Sequence, residues 1–289
     1  MEYVMAFLNI FFIYLILSLS ANALVGFGGI FTLFQAGIFG IGAYAYAFFS
    51  VKAGFPFILS SLFAILISSI IALIFSITSL RIKKDYVVLS TIAFQLILSK
   101  LFYSLENITG GPYGITGIPE PSFGNLKIDE PFEYLIFNAS VALFITLLVS
   151  RVFSVPFGIS VKGFREDEIL LSSYGVSPEL IKLKLFTFSG TLAGIAGVLY
   201  ASYVGFIDPT SFTLMESVFI VSTVLVGGSG SVLGSLLGTF ILVGIPELLR
   251  YIPDVGEYVF FVRQILFSTL IILILYFRPK GLVGDYAPR

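Results

Sequence analysis

From Val4 to Val51 the chain carries no charged residue. A membrane-spanning helix needs about 20 mostly apolar residues. This run is therefore too long for one helix and too apolar to face water. The Gly26-Phe27-Gly28-Gly29 stretch is the natural break, because glycine punctuates helical patterns. It gives spans near 4–25 and 30–50. Phe57–Leu80 is a third uncharged run, stopped by Arg81-Ile82-Lys83-Lys84-Asp85. A fourth, about Tyr86–Leu105, is interrupted only by Gln95 and Lys100, and Phe132–Ser150 is a fifth, ending at Arg151. Leu185–Ile207 follows. Ser217–Pro246 is uncharged with Gly227-Gly228-Ser229-Gly230 in its middle, so two short spans near 212–227 and 232–249 fit it better than one. The last is about Tyr258–Phe277. The sequence thus predicts an all-α polytopic membrane protein with about nine spans, within a range of eight to ten.

Composition closes off other classes. Only 11% of the 289 residues are charged and 57% are hydrophobic, against roughly 25% charged in a soluble domain. Mean hydropathy is +1.04. A soluble enzyme and a disordered chain are excluded. The 16 Lys and Arg nearly cancel the 17 Asp and Glu, and no polybasic patch appears, so no nucleic-acid partner is expected. With no Cys and no His, disulfides, thiolate chemistry, His-ligated zinc and imidazole triads drop out. No metal or cofactor is expected in this chain, although carboxylate sites for hard cations stay open. The N-terminus lacks the positive region and small-residue cleavage site of a signal peptide.

The cations fix an expected orientation. With nine spans, one side holds eleven: Arg81, Lys83, Lys84, Arg151, Lys162, Arg165, Lys182, Lys184, Arg278, Lys280 and Arg289. The other holds four: Lys52, Lys127, Arg250 and Arg263. The richer side is cytoplasmic by the positive-inside rule. The loop 106–130 is then external. The loop 152–184 and the C-terminus are internal, and the N-terminus is outside.

Two Gly-broken segments, one in each half, mark the expected translocation path: Gly28, Gly29, Gln35 and Gly40, then Gly227, Gly228 and Gly230. Interrupted helices expose backbone to a substrate cavity in transporter folds. The same glycines, with Gly37, Gly42, Gly234 and Gly238, also suit close helix packing. Gln35, Gln95, Lys100, Glu216 and Glu247 lie in or at the ends of spans. A charge inside a bilayer costs at least about 2.5 kcal/mol, so each should face protein or water. Gln35 sits among small residues and is the best pathway candidate.

In the internal loop, Lys162, Arg165, Glu166, Asp167 and Glu168 form a charge cluster. Residues from about Glu166 to Tyr174 predict a short helix with acids in its first turn and Gly175 as its stop. Ile169, Leu170 and Leu171 give it an apolar patch, and a second short element can start at Pro178. Such a helix either docks a partner or is a solvated connector. No Gly-Lys dipeptide exists in the chain, so the Lys-bearing phosphate loop of ATPases is absent. The chain itself is not expected to be an enzyme.

At these segments the sequence resembles the LivM-type permease subunit of branched-chain amino acid ABC importers, over nearly its whole length. The resembling blocks run in order. They are Gly26–Gly29 with Gln35–Tyr44; Leu80–Tyr86; Thr109-Gly110-Gly111-Pro112-Tyr113-Gly114-Ile115-Thr116-Gly117-Ile118-Pro119; Arg165–Gly175; Gly205–Pro209; Gly227–Ser231; Pro246–Arg250; and Phe277–Leu282. Where family members often carry Gly-His, this chain has Phe34-Gln35. The resemblance implies one permease domain over 1–289 in the inner (plasma) membrane. It implies a LivH-like second permease subunit and two ATPase subunits docked on Lys162–Gly175. An external substrate-binding protein would touch Gly110, Gly111, Pro112, Tyr113 and Gly114. Similar permeases move urea, short amides or aromatic acids, and the binding protein largely sets the choice; leucine, isoleucine and valine are the expected solutes by resemblance alone. A secondary transporter driven by an ion gradient is the main rival, and would want carboxylates within its spans.

Overall fold

The computed structural model describes residues 2–249 except 83, 124 and 125, then 268–269, 272, 276–278 and 280–284. The expected span Tyr258–Phe277 lies mostly outside the described residues, as do Arg250, Arg263, Arg289 and the side chain of Glu247.

The described chain is mostly helical. Helix α1 (Glu2–Asn22) continues into a π-helical turn, Ala23–Phe27. Next come α2 (Gln35–Ala47), lengthened by a second π-helical turn at Phe48–Lys52, then α3 (Phe57–Ser79) and α4 (Lys84–Ser104). One short helix, α5 (Glu106–Thr109), opens a loop that leads to α6 (Pro131–Ser154). The segment after it forms α7 (Pro156–Glu166) and α8 (Glu168–Ser173). The long α9 (Pro178–Val204) and the shorter α10 (Leu214–Gly227) and α11 (Val232–Leu249) complete the order. Among the described residues, five helices are long and apolar enough to cross a membrane, and two apolar helices are shorter.

Helix α3 shows why the bundle suits a bilayer. Ile58, Leu62, Leu66, Ile70 and Ile74 are exposed along one face. Ser60, Ala64, Ser68, Ala72 and Ser76 recur every four residues on the buried face. Large apolar residues face out and small ones face the neighbouring helix, the pattern of packing in lipid. The partner face on α9 is Gly190 and Gly194, whose Cβ positions would meet Ala72 and Ser68. On its other side α9 meets α2 backbone to backbone, with Gly42 against Gly194 and Gly197 against Phe39 and Ala43. Helix α9 is the central post: 72% of its apolar window is buried, against 28% for α3.

Four expectations need correction. The second helix begins at Gln35, not near residue 30, because residues 28–34 form an irregular, non-helical connection. Their polar groups find partners inside the protein: Ile30 N donates to Leu24 O at 2.9 Å and Leu33 N to Thr91 Oγ1 at 3.1 Å. Irregular backbone at membrane depth is tolerated only under such cover. The element at Pro178 is not short; it is the start of α9. Pro178 occupies the first turn and Ser177 caps it, accepting from Leu180 N, and nothing stops the helix before Gly205, at φ +70. The sixth span therefore starts at Pro178 and ends at Val204. Finally, the segment 152–184 is mostly helical rather than an open loop.

Candidate functional site

Two clusters lie at opposite ends of the bundle. At one end the loop 106–130 folds onto the chain after α9. Strand β1 (Ile115–Thr116) pairs antiparallel with β4 (Phe206–Ile207), in register Ile115 with Ile207. Between them a small hairpin joins β2 (Ser122–Phe123) and β3 (Leu126–Lys127). Thr109 pins the start of the loop: its hydroxyl donates to Phe102 O at 2.7 Å and accepts from Gly111 N at 3.2 Å. Gly110, Gly111 and Gly114 all take positive φ, and a side chain on Gly114 would strike the Ile207 carbonyl. These glycines shape the loop. Pro112 and Tyr113 form its exposed tip, Tyr113 at 88%.

At the other end, both glycine breaks meet. Asn22, fully buried, bridges them. Its Oδ1 accepts from Gly230 N at 2.9 Å, and its Nδ2 donates to Ser231 O at 2.9 Å and Ser235 Oγ at 2.8 Å. Gly26 lies directly against Gly230. The carbonyls of Val226 and Gly227, left open where α10 stops, accept from Leu282 N at 3.1 Å and Val283 N at 2.9 Å. A stop with unsatisfied carbonyls is thus sealed by another part of the chain.

Helices α7 and α8 sit on this same end. Asp167 is the hinge between them, and its Oδ1 accepts from Ile169 N at 2.8 Å and Leu170 N at 3.0 Å. The helix expected over 166–174 is therefore α8, with Asp167 as its cap. Gly175 follows it at φ +79. Ile169, Leu170 and Tyr174 are exposed at 81%, 56% and 78%. Leu171 corrects the expected patch. It turns inward, with its Cδ1 against Gly163. Lys162, Glu166 and Asp167 are exposed. Arg165 is half-buried and also turns inward, where its guanidinium donates to Gly26 O. Lys182, at the foot of α9, donates to Ser79 O at 2.6 Å. A cleft of about 600 Å³ opens here between Ile30, Leu80, Phe164, Glu168, Glu179 and Lys182.

Between the two ends lies a buried polar seam. Gln35 accepts from Ser20 Oγ and donates to Ser189 Oγ, both at 3.0 Å, so it ties α1, α2 and α9 together. Gln95 accepts from Gly37 N at 2.6 Å and donates to Phe212 O at 3.0 Å, while Ser217 Oγ accepts from Ala36 N at 3.0 Å. Together they satisfy the open first turn of α2. Gly40 is packed under Phe102 and Phe212, Gly28 under Leu185, and Gly227 against Gly234 and Gly238. Gly29 lies under the Arg165 side chain, and Gly228 against Gly284. Glu216 accepts from Tyr14 Oη at 2.6 Å, and Lys100 is exposed on α4. Among the described residues no His, Cys, Asp or Glu cluster could hold a metal ion. Asn22 is the residue the sequence did not single out. Its signal was an amide in an uncharged span, four residues before Gly26.

The chain matches, over residues 3–277, the family described as branched-chain amino acid transport system / permease component. It is 34% identical to the high-affinity branched-chain amino acid transport system permease protein LivM of Salmonella typhimurium. That match covers 96% of this chain and 69% of the relative. To LivM of Escherichia coli K12 it is 35% identical, with the same coverage. The autoinducer 2 import system permease protein LsrC of Yersinia pseudotuberculosis is 28% identical over 69% of this chain and 57% of its own length. No solved structure matches. The chain belongs to the family of branched-chain amino acid transport permease components.

Proposed function

We propose that this chain is one permease subunit of an ATP-driven importer and admits branched-chain amino acids across the cell membrane. In this reading it crosses the membrane about nine times, with its C-terminus in the cytoplasm and its N-terminus outside. It pairs with a second, LivH-like permease, and the solute passes between the two. An external binding protein delivers the solute to the Pro112–Tyr113 tip of the loop 106–130. Two ATPase subunits dock on α7 and α8 and do all the hydrolysis, so this chain does no covalent chemistry. ATP binding closes the ATPases. Their closure moves α7 and α8, and differential binding of the two states shifts the bundle from outward to inward access.

The observation that carries the reading is where the exposed apolar residues of α8 sit. Ile169, Leu170 and Tyr174 form an unpartnered patch on the short helices that touch the glycine breaks. Bare apolar side chains on a polar segment mark an interaction surface. The experiment replaces Ile169 and Leu170 together by Asp. Insertion into the membrane should be normal, because both side chains are exposed. Co-purification of the ATPases should fall by about tenfold or more, the loss of roughly 1.4 kcal/mol or greater at an interface core. ATPase recovery equal to that of the native chain would refute the docking assignment.

A further inference from the structure

Arg165 belongs to the charge cluster of the cytoplasmic segment, yet its side chain points into the bundle. The guanidinium donates to the carbonyl of Gly26, in the π-helical turn that ends α1. That carbonyl is open because the helix stops there. The stem of Arg165 lies across Gly29, where a Cβ would come within 2.6 Å of its Cγ. A second contact runs beside it: Phe27 of the same turn stacks on Phe153 at the end of α6, with centroids 3.9 Å apart and planes 8° from parallel. One turn earlier on α1, Asn22 holds Gly230, Ser231 and Ser235. A continuous line of directed contacts therefore leads from α7 through Gly26 to the break between α10 and α11.

We propose that Arg165 is a positioning residue, a strut through which movement of α7 carries both glycine breaks as one unit, with Asn22 relaying it to the second break. The strut rests on the reading that α7 and α8 receive the ATPases, but it assigns Arg165 to transmission and not to docking. Guanidinium-to-carbonyl bonds are charge-assisted and directional, about twice as strong as neutral ones. Close-packed elements pass on displacement rather than absorb it. Without the strut, ATP is hydrolysed and α7 moves, but the breaks do not follow.

The test uses the full importer complex in vesicles, and reads leucine uptake, ATP hydrolysis and ATPase retention together. In Arg165→Ala, leucine moved per ATP should fall by about tenfold or more, within the usual range of coupling between sites. ATP hydrolysis and ATPase retention should stay near native. Arg165→Lys still offers one donor to one carbonyl and should recover most of the ratio. A covalent version guards against misfolding. A Cβ at position 29 would lie 3.5 Å from Arg165 Cβ, within the span of about 3.5–4.5 Å that a disulfide needs. The chain has no other cysteine. In Gly29→Cys/Arg165→Cys, the reduced protein should be uncoupled, and mild oxidation of the two thiols to a disulfide should raise uptake per ATP by about fivefold or more. Backbone strain at position 29 is the same in both states, so the comparison is internal.

An unchanged ratio in Arg165→Ala, or no rise once the two thiols are verified to have formed the disulfide, overturns the strut. Loss of ATPase retention in Arg165→Ala also overturns it, by moving Arg165 to the docking surface. The docking reading fails separately, if the Asp substitutions at Ile169 and Leu170 leave retention unaltered.

Discussion

Replacing Gly227 by Val should remove the folded permease from the membrane. A Cβ at 227 would land on the carbonyl oxygen of Gly234, and 2.8 Å from the amide of Gly238. Both obstacles are backbone. Overpacking against side chains costs about 1–3 kcal/mol because rotamers can give way. Here α10 and α11 must part, which costs more, and the cap that Leu282 and Val283 place on α10 is lost with them. We expect extractable, monodisperse protein to drop by about tenfold or more, measured by size-exclusion chromatography of detergent-solubilised membranes. Gly244→Ala is the matched control. The nearest atoms there are those of the Phe7 ring, at 3.7 and 3.8 Å, so its yield should be native. Native yield of Gly227→Val would mean that the α10–α11 crossing is wrong.

Asn22→Leu should destabilise the protein while keeping the branching of the side chain. Three hydrogen bonds disappear, and the Gly230 amide is left buried without its acceptor. Each buried group stranded in this way costs about 1–3 kcal/mol. Ser231 O keeps its helical donor, Ser235 N at 3.1 Å, so the total should be about 2–4 kcal/mol. That lowers the thermal midpoint by roughly 5 °C or more, read by the loss of monodisperse protein on heating. Ser140→Ala, on the exposed face of α6, should leave the midpoint in place. An Asn22→Leu midpoint equal to native would show that the breaks are not held through this amide.

The spans over α3, α4 and α6 were legible because charge marks their ends: Arg81 and Lys83 after α3, Arg151 near the end of α6. The break at Gly26–Gly29 was legible because glycine runs are poor helix. What lay between the breaks was not. Residues 28–34 are as apolar as a helix, yet they leave the helical path, with the end of α1 and Thr91 taking up the amides of Ile30 and Leu33. Thr91 is distant in sequence. The inward turn of Arg165 was hidden for the same reason. Its partner is a backbone carbonyl, which has no letter in the sequence, so nothing there told Arg165 from its charged neighbours. Leu171 was misread because three adjacent apolar residues on a helix cannot share one face. Gly175 as the stop after α8, and acids at its start, were readable because caps are local. The sequence left the glycines open between path and packing. Every one of them with a close neighbour touches another helix or loop, and Gly40, Gly42, Gly194 and Gly197 lie where helices cross. Gln35 looks the same: its amide is spent on Ser20 and Ser189.

The central claim is that this chain moves its solute only as part of an ATP-driven complex. The most direct measurement is leucine uptake into vesicles holding this chain with its second permease and ATPases, binding protein outside and ATP inside. The account predicts uptake that needs ATP, needs the binding protein, and is lost when this chain is left out. Leucine carried at full rate by this chain alone, without ATP, would contradict it.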